Sequence, residues 1–292
     1  MKKVLVLAAA MMAAVFSAKA EVEFAYEAGA DLVSAYIWRG QYNGGLSFQP
    51  EGLVGFNAMD EKIQFRVGAW ASLGASDWKF KTDGTEILGV NPNTRFMPEV
   101  DFIASLSACG ASVGFNEYYY CDDWSTHTSE IWLGYNFSYL FGEKAGAYIN
   151  WYSMVAGGGD EVLETDLAKL AQGKTTKQAF SSYLEIGYDY TIENIGLTVG
   201  AQVGMSPWAS PVYGNDKFAV TNIALKANKE FDLGVCSLNI WAMGSLNPDG
   251  LVTDKDDAGY NVYIDAAGDL KLYNQKLNGC TVSVFGSDDS SK

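Results

Sequence analysis

Ile63-Gln64-Phe65-Arg66-Val67-Gly68-Ala69-Trp70-Ala71-Ser72-Leu73 alternates without a slip. Ile63, Phe65, Val67, Ala69, Ala71 and Leu73 form one face, and Gln64, Arg66, Gly68, Trp70 and Ser72 form the other. Successive side chains of an extended chain point to opposite sides, so this segment reads as a strand with one apolar and one mixed polar face. Its length matches the roughly 9–11 residues that a tilted strand needs to cross a bilayer.

The same two-residue period recurs on both sides of this segment. Toward the N-terminus, Leu32, Ser34, Tyr36 and Trp38 oppose Asp31, Val33, Ala35, Ile37 and Arg39, giving a first strand whose terminal aromatics read as girdle. Phe48, Val54 and Phe56 oppose Ser47, Gln49 and Glu51 in a second, irregular where Pro50 cannot donate to a ladder. Toward the C-terminus, Val100, Phe102, Ala104 and Leu106 alternate with Glu99, Asp101, Ser105 and Ser107. Val113 and Phe115 follow, but Glu117 then falls on the apolar parity, which a bulge or arrival at the headgroup boundary explains. Ile131–Phe137, Ala145–Trp151, Phe180–Tyr190, Leu197–Val203, Ile223–Ala227 and Leu238–Ala242 continue the series to eleven strands. Either the stretch from Tyr260 to Ala266 or that from Cys280 to Phe285 supplies the last, because single-chain bacterial barrels have even strand numbers. The fold class expected is therefore all-β, an antiparallel transmembrane β-barrel of about 12 strands.

Connection lengths agree with this reading. Segments near Ala58–Lys62, Cys109–Ala111, Tyr139–Lys144, Glu193–Ile195 and Asp232–Val235 are short, and those near Ser76–Phe96, Gly157–Gln178, Ser206–Asp216 and from Asn247 onward are long. Short periplasmic turns and long extracellular loops alternate in this way, with the N-terminus in the periplasm. One long loop carries a helix expected over 160–173, with Asp160 as N-cap, Leu163, Leu167 and Leu170 at helical spacing and Gly173 past its end.

The N-terminus reads as an export signal. Lys2-Lys3, an apolar stretch from Val4 to Phe16 and Ala18-Lys19-Ala20 match a signal peptide over 1–20 with cleavage after Ala20. The barrel then occupies 21–285, and the polar tail 286–292 is expected to be disordered. No later run is long and apolar enough for a membrane helix. The expected location is the bacterial outer membrane, where lipid, lipopolysaccharide and the barrel-assembly machinery become partners.

Formal charge is −15, and removal of Lys2, Lys3 and Lys19 takes it to −18, which excludes nucleic acid as a partner. The 31 glycines and 17 tyrosines, against only 6 prolines, suit strands with tight turns and aromatic belts. Cys109, Cys121, Cys236 and Cys280 permit three disulfide pairings without choosing one. Their spacing does not make a zinc site, Asp254-Lys255-Asp256-Asp257 lacks the spacing of a calcium loop, and no cofactor is expected. The single imidazole, His127, lies among Ser125, Thr126, Thr128 and Ser129, and no catalytic set accompanies it. An enzyme is not expected.

Parity assigns the lumen face. Asp31, Arg39, Glu51, Arg66, Glu99, Asp101, Glu130, Glu185, Asp189 and Lys226 point inward, seven carboxylates against three cations. Acidic rings favour cations in a narrow pore. Two functions fit: passive diffusion of small polar solutes through a narrow, mildly cation-leaning lumen, or a closed structural or surface-binding barrel. In the second, inward Trp70, Trp132, Tyr148, Tyr152 and Trp241 fill the interior.

The opening from Ala30 to Gly40 (ADLVSAYIWRG) and Gly45 to Pro50 (GLSFQP) resembles a family of Bacteroidetes outer-membrane β-barrel proteins similar to porins. Ser181–Glu185, Ser206–Trp208 and Phe218–Asn222 resemble further landmarks of that family. The resemblance implies a barrel of roughly twelve strands and a transport role, and carries no catalytic or ligand residues with it. The ending departs from the usual barrel, which finishes on an aromatic, since seven residues follow Phe285.

Overall fold

The computed structural model describes residues 22–44, 46–76, 78–79, 89–90, 99–120, 127–142, 146–157, 177–234, 236–248 and 261–273. The expected signal peptide, the helix over 160–173, the Asp254–Asp257 cluster, Cys121, Cys280 and the tail lie outside them.

The wall begins with β1 (Val22–Val33), and two short strands, β2 (Tyr36–Trp38) and β3 (Gln41–Gly44), follow it. The wall resumes with β4 (Leu46–Ala58) and β5 (Ile63–Ser76). A further pair, β6 (Trp78–Lys79) and β7 (Gly89–Val90), precedes β8 (Glu99–Ala108), β9 (Ala111–Tyr120) and β10 (His127–Asn136). Then come β11 (Gly146–Gly157), β12 (Ser182–Ile192), β13 (Leu197–Ser206), β14 (Ala219–Asp232), β15 (Cys236–Asn247) and β16 (Asn261–Tyr273). All but the two short pairs join in one closed antiparallel barrel, twelve strands among the described residues. Closure is made by β16, which pairs with β15 and runs back along β1 from Glu27↔Tyr273 to Val33↔Ala267. The closing strand is therefore the one expected to start near Tyr260, lengthened to Tyr273; the other candidate, 280–285, lies outside the described residues.

Three expectations are corrected. The first wall strand is not 31–39 but Val22–Val33, and the chain then leaves the wall. Tyr36 and Trp38 are not girdle residues, because β2 and β3 form a separate hairpin that turns into the lumen. No bulge occurs at Glu117, since pairing of β9 with both neighbours is continuous there, which leaves the boundary explanation; the nearby irregularity is on β11, where Val155 is skipped opposite Ser129/Glu130. Pro50 behaves as its missing donor requires: β4 pairs with β5 at Phe48↔Leu73 and again at Glu51↔Trp70, with no pair between and no change of register.

Outward positions are apolar and open: Phe48, Val54, Val67, Leu73, Phe102, Phe115, Leu133, Ile186, Val203, Ile223, Leu225 and Ile240 are all exposed. Inward positions on the same strands are buried, as Gln49, Leu53, Arg66, Trp70, Asp101, Ile103 and Trp132 show. A water-soluble barrel would bury its apolar face; here that face is outside, as lipid requires. Glu117 marks one edge of the band. It lies outward at the end of β9 and pairs with Nδ1 of His127, whose ring stacks on Tyr119.

Cys109 and Cys236 are free thiols, so neither joins a disulfide with any described residue.

Candidate functional site

Twelve strands about 4.8 Å apart and tilted about 40° enclose a cylinder of roughly 12 Å Cα radius, wider than wall side chains alone fill. What fills it here is loop. The β2–β3 hairpin enters from the long-loop end, and the β13–β14 connection, with a 3-10 turn at Pro211–Tyr213, enters beside it. The two meet side by side: Gln41 Nε2 donates to the Val212 carbonyl at 2.8 Å, and Trp38 stacks on Tyr213 at 5.5 Å.

The hairpin turns on Arg39 and Gly40, at φ 52° and 82°. Both central residues of a two-residue loop matching strand twist take positive φ, which glycine accepts and arginine resists. Gly40 is also sterically required, because a Cβ there would lie 2.1 Å from the Thr221 carbonyl oxygen. Its own carbonyl accepts from Asn247 Nδ2 at 2.9 Å. The hairpin thus touches both sides of the barrel. Tyr36 and Trp38 pack with Leu53, Trp70, Ile103, Trp132, Tyr152, Tyr183 and Tyr213 on one side; Ile37 packs with Val33, Ala224, Trp241 and Met243 on the other.

At the tip, the Arg39 guanidinium is wholly buried against the wholly buried Glu130 carboxylate. Nη1 donates to Oε2 at 2.5 Å and Nη2 to Oε1 at 2.9 Å, a two-pronged pair, and Nη1 also reaches the Tyr213 hydroxyl at 2.6 Å. The ring centroids of Tyr152, Trp38 and Tyr183 lie 3.8, 4.6 and 5.4 Å from Cζ. Tyr118 and Asn116 donate to Glu130 Oε1 at 2.8 and 3.3 Å, so the carboxylate is oriented before the arginine arrives. Glu130 points inward by the ordinary alternation of β10, on the same face as Trp132, and the extra residue of the adjoining bulge is Val155 on β11, between Ser129↔Ala156 and Glu130↔Met154. Burial, the largest single influence, would lower the Arg39 pKa; the Glu130 charge and hydrogen bond together with Tyr213 and Tyr118 outweigh it, and the group is held well above its ordinary value as a cation. Burial raises the Tyr36 phenol well above its ordinary range, and nearby Glu99 and Asp101 push the same way, so it is a neutral donor.

Glu99, Asp101 and Glu185 are buried on the inner face near the hairpin, and Glu185 accepts from Tyr183 and Gln202 at 3.0 and 3.1 Å. Arg66 is inward and pairs with Glu27 at 2.6 Å. Asp31, Glu51, Asp189 and Lys226 are half-buried on the inner face, with Lys226 within electrostatic reach of Asp189. Arg39 alone differs in kind, reaching the lumen from a loop tip rather than from a strand.

Sequence parity missed Glu27 and Tyr213. Glu27 precedes the first strand expected from the sequence, and its parity becomes legible only once β1 starts at Val22. Tyr213 lies in a loop, where no period exists, although Pro211 and Gly214 flag a turn.

The bulky inward residues do not all cross the lumen. Trp132 lies flat over Gly114 and Tyr148 over Gly187, each directly opposite on the neighbouring strand; a Cβ at either glycine would sit 2.1–2.2 Å from the ring. The wall below the hairpin is therefore lined by small and polar groups, among them Ser105, Gln64, Asn57, Thr198 and Gln202.

No protein-family model and no curated protein matches the chain. Among solved structures it is similar to an outer-membrane channel from Pseudomonas putida F1, at 10% identity and TM-score 0.46, covering 86% of this chain and 95% of that one. It is also similar to the outer-membrane channel DcaP of Acinetobacter baumannii, at 9% identity and TM-score 0.33 over 88% and 98% of the two chains. A third is OprB of Pseudomonas putida, at 8% identity and TM-score 0.31 over 87% and 92%. Likenesses this loose bring neither solute nor mechanism. What the pairings of its own strands establish is that the described residues form a closed antiparallel β-barrel of twelve strands with an apolar exterior.

Proposed function

We propose that the protein is an integral outer-membrane, porin-like barrel for small polar solutes, stoppered in this state by the β2–β3 hairpin. The observation that carries the reading is the division of labour inside the tube. The wall lays Trp132 and Tyr148 flat over glycines and lines itself below the hairpin with polar groups, while the obstruction arrives on a hairpin outside the wall sheet, held by Arg39 to Glu130 and by Asn247 to the Gly40 carbonyl, so it can leave with the inter-strand ladder intact. An interior meant to stay solid needs no such separation. The apolar exterior fits lipid contact, with lipopolysaccharide on the long-loop half, delivery by an N-terminal signal over 1–20 and insertion by the barrel-assembly machinery as corollaries of this reading. The acid excess of the inner face supports a cation lean.

The alternative, a permanently closed structural or surface-binding barrel, is favoured by one observation: the stopper is anchored by a fully buried ion pair. Planar-bilayer recording separates the two. Replacing 35–43 by a short Gly/Ser linker in the folded protein should give discrete, long-lived conductance steps, with wild type showing smaller or rarer ones. A correctly folded, hairpin-less barrel that stays silent rejects the channel.

A further inference from the structure

Arg39 sits in its surroundings as a ligand sits in a site. Subtract the hairpin, and the wall still presents Glu130, oriented by Tyr118 and Asn116, between the rings of Tyr152 and Tyr183, with the Tyr213 hydroxyl beside it. A planar fork facing a carboxylate, with ring faces against its plane, is the chemistry that recognises a guanidinium. The guanidinium now there is held by a turn with a non-glycine residue at positive φ, so its carrier is not in its own preferred conformation. Nor does one arginine neutralise the neighbourhood: buried Asp101 lies within electrostatic reach of Glu130 and Glu99, and its Oδ1 has no hydrogen-bond partner among the described residues.

We propose that the Glu130 cage is a binding site for guanidinium-bearing solutes, occupied in this state by Arg39 as a tethered ligand that such solutes displace. Displacement and release of the hairpin are then one event, because a solute that binds only when Arg39 is out stabilises the unstoppered state. The site goes beyond the channel reading and does not need conduction.

The test uses the full barrel folded in detergent, with Arg39→Ala as the vacated site. Methylguanidinium is the probe, and methylurea, nearly the same shape without the charge, is the control. Millimolar methylguanidinium should raise the unfolding midpoint of Arg39→Ala saturably, with about tenfold or greater preference over methylurea, since bonds to a charged group outweigh neutral ones. If Arg39→Ala folds poorly, the readout is its yield of heat-modifiable barrel, which the probe should restore and methylurea should not. Arg39→Ala/Glu130→Gln should respond to neither. Equal responses to the two probes, or an undiminished response in the double variant, overturns the site. A silent bilayer leaves this result untouched, and a failed rescue leaves the conductance result untouched.

Discussion

At the scale of single residues, the Arg39–Glu130 pair anchors the hairpin inside the barrel. Both groups have lost water entirely, and each is tolerable only because the other is there. Removing Arg39 strands Glu130 with its two remaining donors in a desolvated site. Arg39→Ala should therefore lower stability by about 3–5 kcal/mol in urea titration of the detergent-folded barrel, absent any added cation. The neutral double variant Arg39→Gln/Glu130→Gln should recover most of that loss, because two amides hydrogen-bond without a buried charge. A double variant as unstable as the single one would show that the hairpin, not the charge pair, carries the energy. Sequence parity put Arg39 on the inner face at the end of a strand. It is inside, but for another reason: Arg39-Gly40 forms a tight hairpin turn, and arginine is not a residue that advertises positive φ.

At the scale of strands, the two-residue period was enough to place nearly every wall segment. It is dictated by backbone geometry and a two-sided environment, so it survives without knowledge of neighbours. Parity read from the residues agrees with burial along β4, β5, β8, β10, β12 and β13. Pairing across strands is what it could not supply, and the glycine–aromatic contacts are the result. Gly204 lies under Tyr183, whose hydroxyl would be 1.9 Å from an added Cβ. Tyr183 cannot retreat, being packed on Tyr152 and Tyr213 and bonded to Glu185 and Asn222. Gly204→Ala should cost about 1–3 kcal/mol by overpacking. Gly52 and Gly244 meet nothing within 4 Å, and alanine there should be neutral or stabilising by about 0.5 kcal/mol, from reduced chain entropy in the unfolded state. Unfolding midpoints of the three variants test the contrast; equal losses would mean the Tyr183 packing is softer than drawn. The outer face has its own test. Leu225 is 68% exposed on β14, and Leu225→Arg near mid-barrel should cost about 2–4 kcal/mol in lipid, read as lost folding into vesicles. In a soluble protein the same exposed leucine would accept arginine at almost no cost.

At the scale of the whole molecule, the inner face carries a charge imbalance, and under the proposed channel reading it would act on permeating ions once the stopper leaves. Glu27, Asp31, Glu51, Glu99, Asp101, Glu130, Glu185 and Asp189 face Arg39, Arg66 and Lys226. Arg66 is committed to Glu27, and Arg39 is carried on the hairpin itself, so taking the hairpin out removes a cation and releases Glu130. The opened barrel should therefore be more cation-preferring than the stoppered one. In a potassium chloride gradient, the barrel with 35–43 replaced should reverse at a potential favouring potassium severalfold near 0.1 M. The preference should fade toward 1 M as the screening length drops from about 10 to about 3 Å, below the distance from wall to axis. Asp31, Glu51 and Asp189 are the half-buried members, reachable from the axis. The triple variant Asp31→Asn/Glu51→Gln/Asp189→Asn, made in the opened barrel, removes their charge while keeping their shape. It should move the reversal potential toward zero and leave the step size within about twofold, because neutralising a charged ring changes which ion is favoured more than how wide the passage is. An anion preference in the opened barrel, or a reversal potential indifferent to these three neutralisations, would show that the inward carboxylates are spent on holding the wall together and set no selectivity.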